Sequence, residues 1–202
     1  MTKGKKIGVV LMVCGVLSFF GAIGLVGYNS YTEYRAEKTA VQVISVIEKQ
    51  QDSVVKSEDL LPDYVVNPDM DMPFKIVEGK EYVGKVDIWS KNLSLPVINN
   101  CTTVNLKYSP CRYEGTPYKN NFIIAAHNYR GQFAELKNLV TGDKITFTDM
   151  DGNVFNYEVM YTDVLDKTDV GPMSEGDWDI TLFTCTYGGA TRVTVRCKLI
   201  NN

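Results

Sequence analysis

The sequence predicts a mainly β domain, an eight-stranded barrel with short helices, carried behind an N-terminal transmembrane helix and a helical stalk. Three observations lead there. Residues 7–28 contain no charged side chain, and roughly 20 apolar residues are enough to cross a bilayer core. Ala40, Val43, Ile44 and Ile47 recur at helical spacing in an otherwise polar stretch. From Tyr82 onward, eight short segments rich in β-branched and aromatic residues are separated by turn residues. Eight short strands with few helices suit a closed or nearly closed barrel.

The elements follow in order. Lys3, Lys5 and Lys6 precede the apolar run with no acidic residue among them. Positive charge favours the cytoplasmic side, so residues 1–6 are expected inside, 7–28 as a signal anchor, and the rest outside the cell in a single-pass protein of the cell membrane. A cleaved signal peptide is the rival; the run is long for one, and no clear A-x-A site follows it. Residues 29–78 read as a helical stalk and then, from 57, a linker rich in Asp and Pro. Residues 79–202 make the domain. Its strands are expected at 82–88, 95–99, 104–108, 121–127, 143–149, 154–161, 179–185 and 191–200. Asp151-Gly152 between two alternating runs marks a hairpin turn, and 133–139 suits a short helix.

Composition narrows the partners. Hydrophobic residues at 45% and charged residues at 22% describe an ordinary folded chain. Setting aside the three N-terminal lysines leaves 18 basic against 24 acidic residues. A nucleic-acid partner would want a basic face, so none is expected. Asp149, Asp151, Gly152 and Asn153 resemble the start of a calcium loop, but the distal Glu is missing, and a plain hairpin turn accounts for them. Asp69 and Asp71 read as a solvated loop. No metal and no cofactor is assigned.

The nucleophilic and titratable residues are few. His127, the sole histidine, ends the buried-looking run 121–127. Cys185 ends a similar run, 179–185, and six residues later another strand begins at Thr191-Arg192. Period-two alternation puts Ile180 and Leu182 on one face of the first strand, and Val193, Val195, Cys197 and Leu199 on one face of the second. If the two strands pair as a hairpin with these faces inward, Cys185 and Arg192 lie side by side on the outer face, and Cys197 is a core residue. A neighbouring cation favours thiolate, the reactive form. Cys101 and Cys111 flank nine residues. They are the natural candidates for a disulfide outside the cell, though spacing alone does not fix a pairing.

Thr181-Leu182-Phe183-Thr184-Cys185 resembles the sortase signature T-L-x-T-C, and Arg192-Val-Thr-Val-Arg196 resembles the arginine-bearing run on that family's last strand. Ala125-Ala126-His127-Asn128 stands where sortases place their catalytic histidine, with Ala126 where many members have Gly. Val83-Gly84-Lys85-Val86-Asp87-Ile88 and Leu95-Pro96-Val97 look like the family's opening strands. The resemblance covers about residues 82–200. It implies a membrane-anchored cysteine transpeptidase that cleaves an LPxTG-like sorting signal on surface proteins. The acyl group then passes to an amine of peptidoglycan or its lipid-linked precursor. Cys185 is the implied nucleophile, His127 the acid and base, Arg192 the residue that holds substrate or stabilises the oxyanion, and Thr184 a substrate contact. The rivals are a cysteine hydrolase on the same scaffold and a membrane-anchored binding domain with an incidental thiol.

Overall fold

The structure, a computed structural model, describes residues 3–51 and 61–200. One continuous helix, α1 (Lys3–Gln51), carries both the anchor and the stalk of the sequence reading. Its first part is long and apolar enough to cross a membrane, and that segment is not buried against the domain. Its last turns dock on the domain through Ala40, Val43 and Ile47. Val43 and Ile47 join a small core with Tyr82, Ile98, Cys111 and Met150. The end of the expected stalk, 52–56, and the start of the expected linker, 57–60, lie outside the described residues. The rest of that linker holds a single helical turn, α2 (Asp63–Val66), and, at its end, a three-residue strand.

Among the described residues nine strands follow: β1 (Lys75–Val77), β2 (Lys80–Ile88), β3 (Leu93–Ile98), β4 (Cys111–Glu114), β5 (Phe122–Ala126), β6 (Lys144–Asp149), β7 (Val154–Asp166), β8 (Ile180–Cys185) and β9 (Thr191–Leu199). They form one sheet in the order β1-β2-β3-β4-β5-β8-β9-β7-β6, and β2 also pairs with β6. That last pairing closes the sheet into an eight-stranded barrel, with β1 a short hairpin arm on β2. Gly84 makes the closure possible. A side chain there would meet the Thr148 carbonyl oxygen at 2.2 Å, so only glycine lets β6 approach. The sheet register shifts at this same point, between Tyr82 and Gly84, as a bulge requires.

The main core fills the barrel with Val86, Phe122, Ile124, Phe147, Tyr157, Ile180, Leu182, Val195 and Cys197. Cys197 is fully buried, as its alternation predicts. Burial pushes its thiol well above the ordinary range. The Asp151-Gly152 turn forms as expected, with Gly152 in the left-handed region at φ 80°. Asp149, fully buried, organises that turn by accepting from the amides of Asp151 and Asn153 and from the hydroxyl of Tyr118. Four details of the sequence reading change. Residues 104–108 form a 3-10 turn (Asn105–Lys107) instead of a strand. β1 and β4 are additional strands, and β7 runs five residues past its expected end. The short helix expected at 133–139 is a 3-10 turn, Ala134–Asn138.

Candidate active site

Two buried strands run parallel at the centre of the sheet. β5 and β8 pair in register from Phe122↔Ile180 to Ala126↔Thr184. Parallel strands are buried on both faces and read as continuous apolar runs, which is how Phe122-Ile-Ile-Ala-Ala126 came to look like the run before Cys185. Because both strands end together, the next residues emerge beside each other. His127 and Cys185 therefore leave the sheet about one strand spacing apart, roughly 4.8 Å. β9 pairs antiparallel to β8 on its other side, with Cys185 directly opposite Arg192. The order across the sheet is His127, Cys185, Arg192. The hairpin register read from the sequence gives the second pair. The first depends on the parallel crossover, which no local pattern reveals.

These three residues line one cleft of about 200 Å³. Its floor is the outer face of the two strands, Ala125 and Phe183, and Tyr113 stands edge-on to Phe183 at 5.2 Å. The opposite wall comes from the β7–β8 connection, which carries Lys167, Asp169 and a short helix, α3 (Val170–Ser174), with Met173 buried against the floor. The cleft is thus mainly apolar, with its polar groups gathered at the strand ends. Sequence reading missed this wall, because Val170-Gly-Pro-Met-Ser174 has no helical periodicity and contains Gly and Pro, the two poorest helix formers.

His127 is held by its backbone. Its amide donates to the side-chain oxygen of Gln132 at 3.0 Å, and its carbonyl accepts from the Phe133 amide at 3.2 Å. Gln132 is itself buried and donates to the Leu106 carbonyl at 3.3 Å. The Tyr129 ring lies 4.8 Å from the imidazole. Burial, and then the positive charge of Lys107, push the imidazole pKa below its ordinary value. Both causes favour the neutral form of the ring, the form able to take a proton.

Arg192 donates to the Lys167 carbonyl, which fixes the guanidinium at the rim of the cleft. A guanidinium carries five N–H donors, more than this one bond uses, and Arg192 lines the cleft. Arg196 shares the outer face of β9, as alternation predicts, but that face is covered at its position. It is 5% exposed. It donates to the carbonyls of Pro172 and Met173 and, at 3.0 Å, to the Thr181 hydroxyl. It is a clamp for α3. Thr184, expected from the resemblance to touch substrate, alternates with Cys185 and faces inward. It is 2% exposed and absent from the cleft lining. Its hydroxyl donates to the Ala126 carbonyl at 2.8 Å. This ties the strand before the histidine to the strand before the cysteine. The Cys101 and Cys111 side chains lie within hydrogen-bond reach of each other; Cys101 also reaches the cleft. Among the described residues, no group of three or more acidic, histidine or cysteine side chains is arranged to hold a metal ion.

The arrangement sets a thiol between an imidazole and a guanidinium above an apolar trough. Known proteins resemble this chain in sequence and in fold. A family model described as the sortase domain matches residues 86–200. The chain is 27% identical to sortase A of Bacillus anthracis over 185 residues, covering 87% of each. Its fold is similar to that of Streptococcus pneumoniae sortase C, with a TM-score of 0.65 at 21% identity, covering 80% of this chain and 97% of that one. It is also similar to Clostridium perfringens sortase C, solved with its C-terminal cell wall sorting motif, with a TM-score of 0.60 at 21% identity over 81% of this chain and all of that one.

Proposed function

Because the chain belongs to the sortase family and is a sortase cysteine transpeptidase, we propose that it cleaves an LPxTG-like sorting signal on surface proteins and joins the new carboxyl end to a cell-wall amine, with Cys185, His127 and Arg192 doing the chemistry. The observation that carries this reading is the convergence of those three residues on one cleft. The reading also places residues 1–6 in the cytoplasm, 7–28 in the membrane and the catalytic domain outside, in support of which α1 is apolar enough to span a bilayer. Residues 29–78 serve as stalk and linker, and 79–202 as the catalytic domain. An exterior setting also suits a Cys101–Cys111 disulfide.

The proton balance runs through His127. As Cys185 Sγ attacks the scissile carbonyl carbon, its proton passes to the neutral imidazole, and the carbonyl oxygen becomes an oxyanion. N–H groups of Arg192 stabilise that charge, the kind of interaction that often supplies the largest share of such a rate gain. The C–N bond then breaks, and the imidazolium protonates the departing amine. A thioacyl enzyme remains. The incoming amine attacks it, gives its proton to the imidazole, and the thiolate leaves and recovers that proton. Covalent catalysis in two half-reactions of this kind needs nucleophile and base within reach of each other. The apolar floor suits the Leu-Pro part of a sorting signal.

The test is product analysis. The full chain in detergent micelles is given a fluorescent LPxTG-type peptide with and without an amine acceptor such as triglycine. Ligated product that grows with the amine supports transpeptidation at such a motif. Cleavage to the free acid alone, unaffected by amine, contradicts it and favours the hydrolase. No cleavage of any sorting peptide contradicts the substrate assignment.

A further inference from the structure

A second cleft, of about 240 Å³, lies between α1 and the connection from β3 to β4. Tyr28, Tyr31, Thr32 and Arg35 line it from α1. Their spacing of i, i+3, i+4 and i+7 places them on one helix face. Val104, Lys107 and Tyr108 form the opposite wall. Arg35 and Lys107 are both exposed, and among the described residues neither lies within ion-pair distance of a carboxylate. Two unneutralised cations facing one cleft stand out in a chain with more acidic than basic residues.

Depth along α1 says what they face. The apolar run ends at Tyr28, and the helix continues unbroken to Gln51. Arg35 lies seven residues further, about 10 Å at ~1.5 Å per residue. Helical side chains point back toward the N-terminus, so the guanidinium reaches back toward the bilayer. The polar layer extends roughly 5–7 Å beyond the hydrocarbon core on each side. That brings the cation to the level of lipid phosphates. Tyr28 and Tyr31 sit where interfacial aromatic residues are favoured.

We propose that this cleft binds the phosphate of an anionic bilayer lipid, with Arg35 and Lys107 pairing to the phosphate and Tyr28 and Tyr31 lying against the glycerol region. The inference rests on the anchor assigned to residues 7–28. A zwitterionic choline lipid brings its own cation into the cleft, so it binds less well than a glycerol headgroup. The bound lipid ties down the segment around Lys107. The adjoining Leu106 walls the catalytic cleft, and its carbonyl holds Gln132, the residue that fixes the His127 backbone.

Native mass spectrometry of the full chain, released from micelles and titrated with dioleoylphosphatidylglycerol, dioleoylphosphatidylcholine or inorganic phosphate, tests this. The expected result is one retained phosphatidylglycerol at concentrations where phosphatidylcholine leaves none. The Arg35→Gln/Lys107→Gln variant should need about tenfold more lipid or beyond, since each surface cation contributes on the order of 1 kcal/mol to anionic-lipid attraction. Equal retention by the variant, no preference over phosphatidylcholine, or occupancy by inorganic phosphate as readily as by lipid overturns the proposal. Flotation of the full chain with phosphatidylcholine vesicles checks the anchor separately. Chain that fails to float removes anchor and lipid site together, whereas chain that floats without headgroup preference removes only the lipid site.

Discussion

Two arginines on one strand face illustrate how differently neighbouring residues can serve. Arg196 is buried under α3 with three acceptors, so Arg196→Ala strands two carbonyls and a hydroxyl. It should lower unfolding free energy by about 2–4 kcal/mol, read by urea denaturation, and blunt activity only through a loosened cleft wall. Arg192→Ala should leave stability within about 1 kcal/mol, since it loses one rim contact, while turnover of a sorting peptide collapses. Lysine at 192 should not restore it, because it lacks the planar fork of donors. Near-normal turnover in Arg192→Ala would contradict the assignment. His127 yields a pH prediction. Burial and Lys107 hold its pKa below 6.5 in the folded protein, so between the folded value and 6.5 the unfolded chain binds more protons. Stability therefore rises with pH across that window and falls on acidification. Wild type should lose more stability than His127→Gln between about pH 7 and pH 5; parallel curves would show that the shift is absent. At this scale much was legible. Cys185 beside Arg192 and Cys197 in the core followed from alternation. Thr184's inward facing follows from the same alternation, but its bond to the Ala126 carbonyl and Arg196's burial do not, because each depends on what a distant segment places against it.

At the scale of elements, α1 belongs to the domain as well as to the expected anchor. Val43 and Ile47 are almost wholly buried, so Ile47→Ala should cost about 2–5 kcal/mol. A chain begun near residue 30 should keep its fold, while one begun after Ile47 should lose much of its stability; equal thermal midpoints for both would contradict the docking. The stripe Ala40, Val43, Ile44, Ile47 made this contact readable, since 3.6-residue periodicity is a local signal. Residues 104–108 misled for the same kind of reason. Val104, Leu106 and Tyr108 alternate like a strand, yet the segment folds into a 3-10 turn with Leu106 toward the cleft that holds Cys185. β4 is only four residues long and mostly polar or charged, so its pairing with β5 decides it. Its first residue, Cys111, sits against Cys101. A disulfide there would close a loop of about ten residues, for which chain entropy gives about 3 kcal/mol. Non-reduced protein should carry the bond and show a thermal midpoint that falls on adding reductant; a midpoint indifferent to reductant, with both thiols free to alkylation, would contradict it.

For the molecule as a whole, the site exists because a closed barrel places the ends of two parallel strands and the start of an antiparallel third together. Barrel closure was readable from eight short strands and few helices. The strand order was not, since putting β5 beside β8 requires a crossover of more than fifty residues through β6 and β7. That crossover joins a histidine and a cysteine 58 positions apart in the sequence. The central claim is that Cys185 forms the covalent intermediate. The most direct measurement is intact-mass analysis of the full chain held with an LPxTG-type peptide without amine, followed by proteolytic mapping. The account predicts an added mass equal to the acyl half of the peptide, carried on Cys185, absent in Cys185→Ala and discharged when amine is supplied. An adduct on another residue, or one that persists in Cys185→Ala, would contradict it.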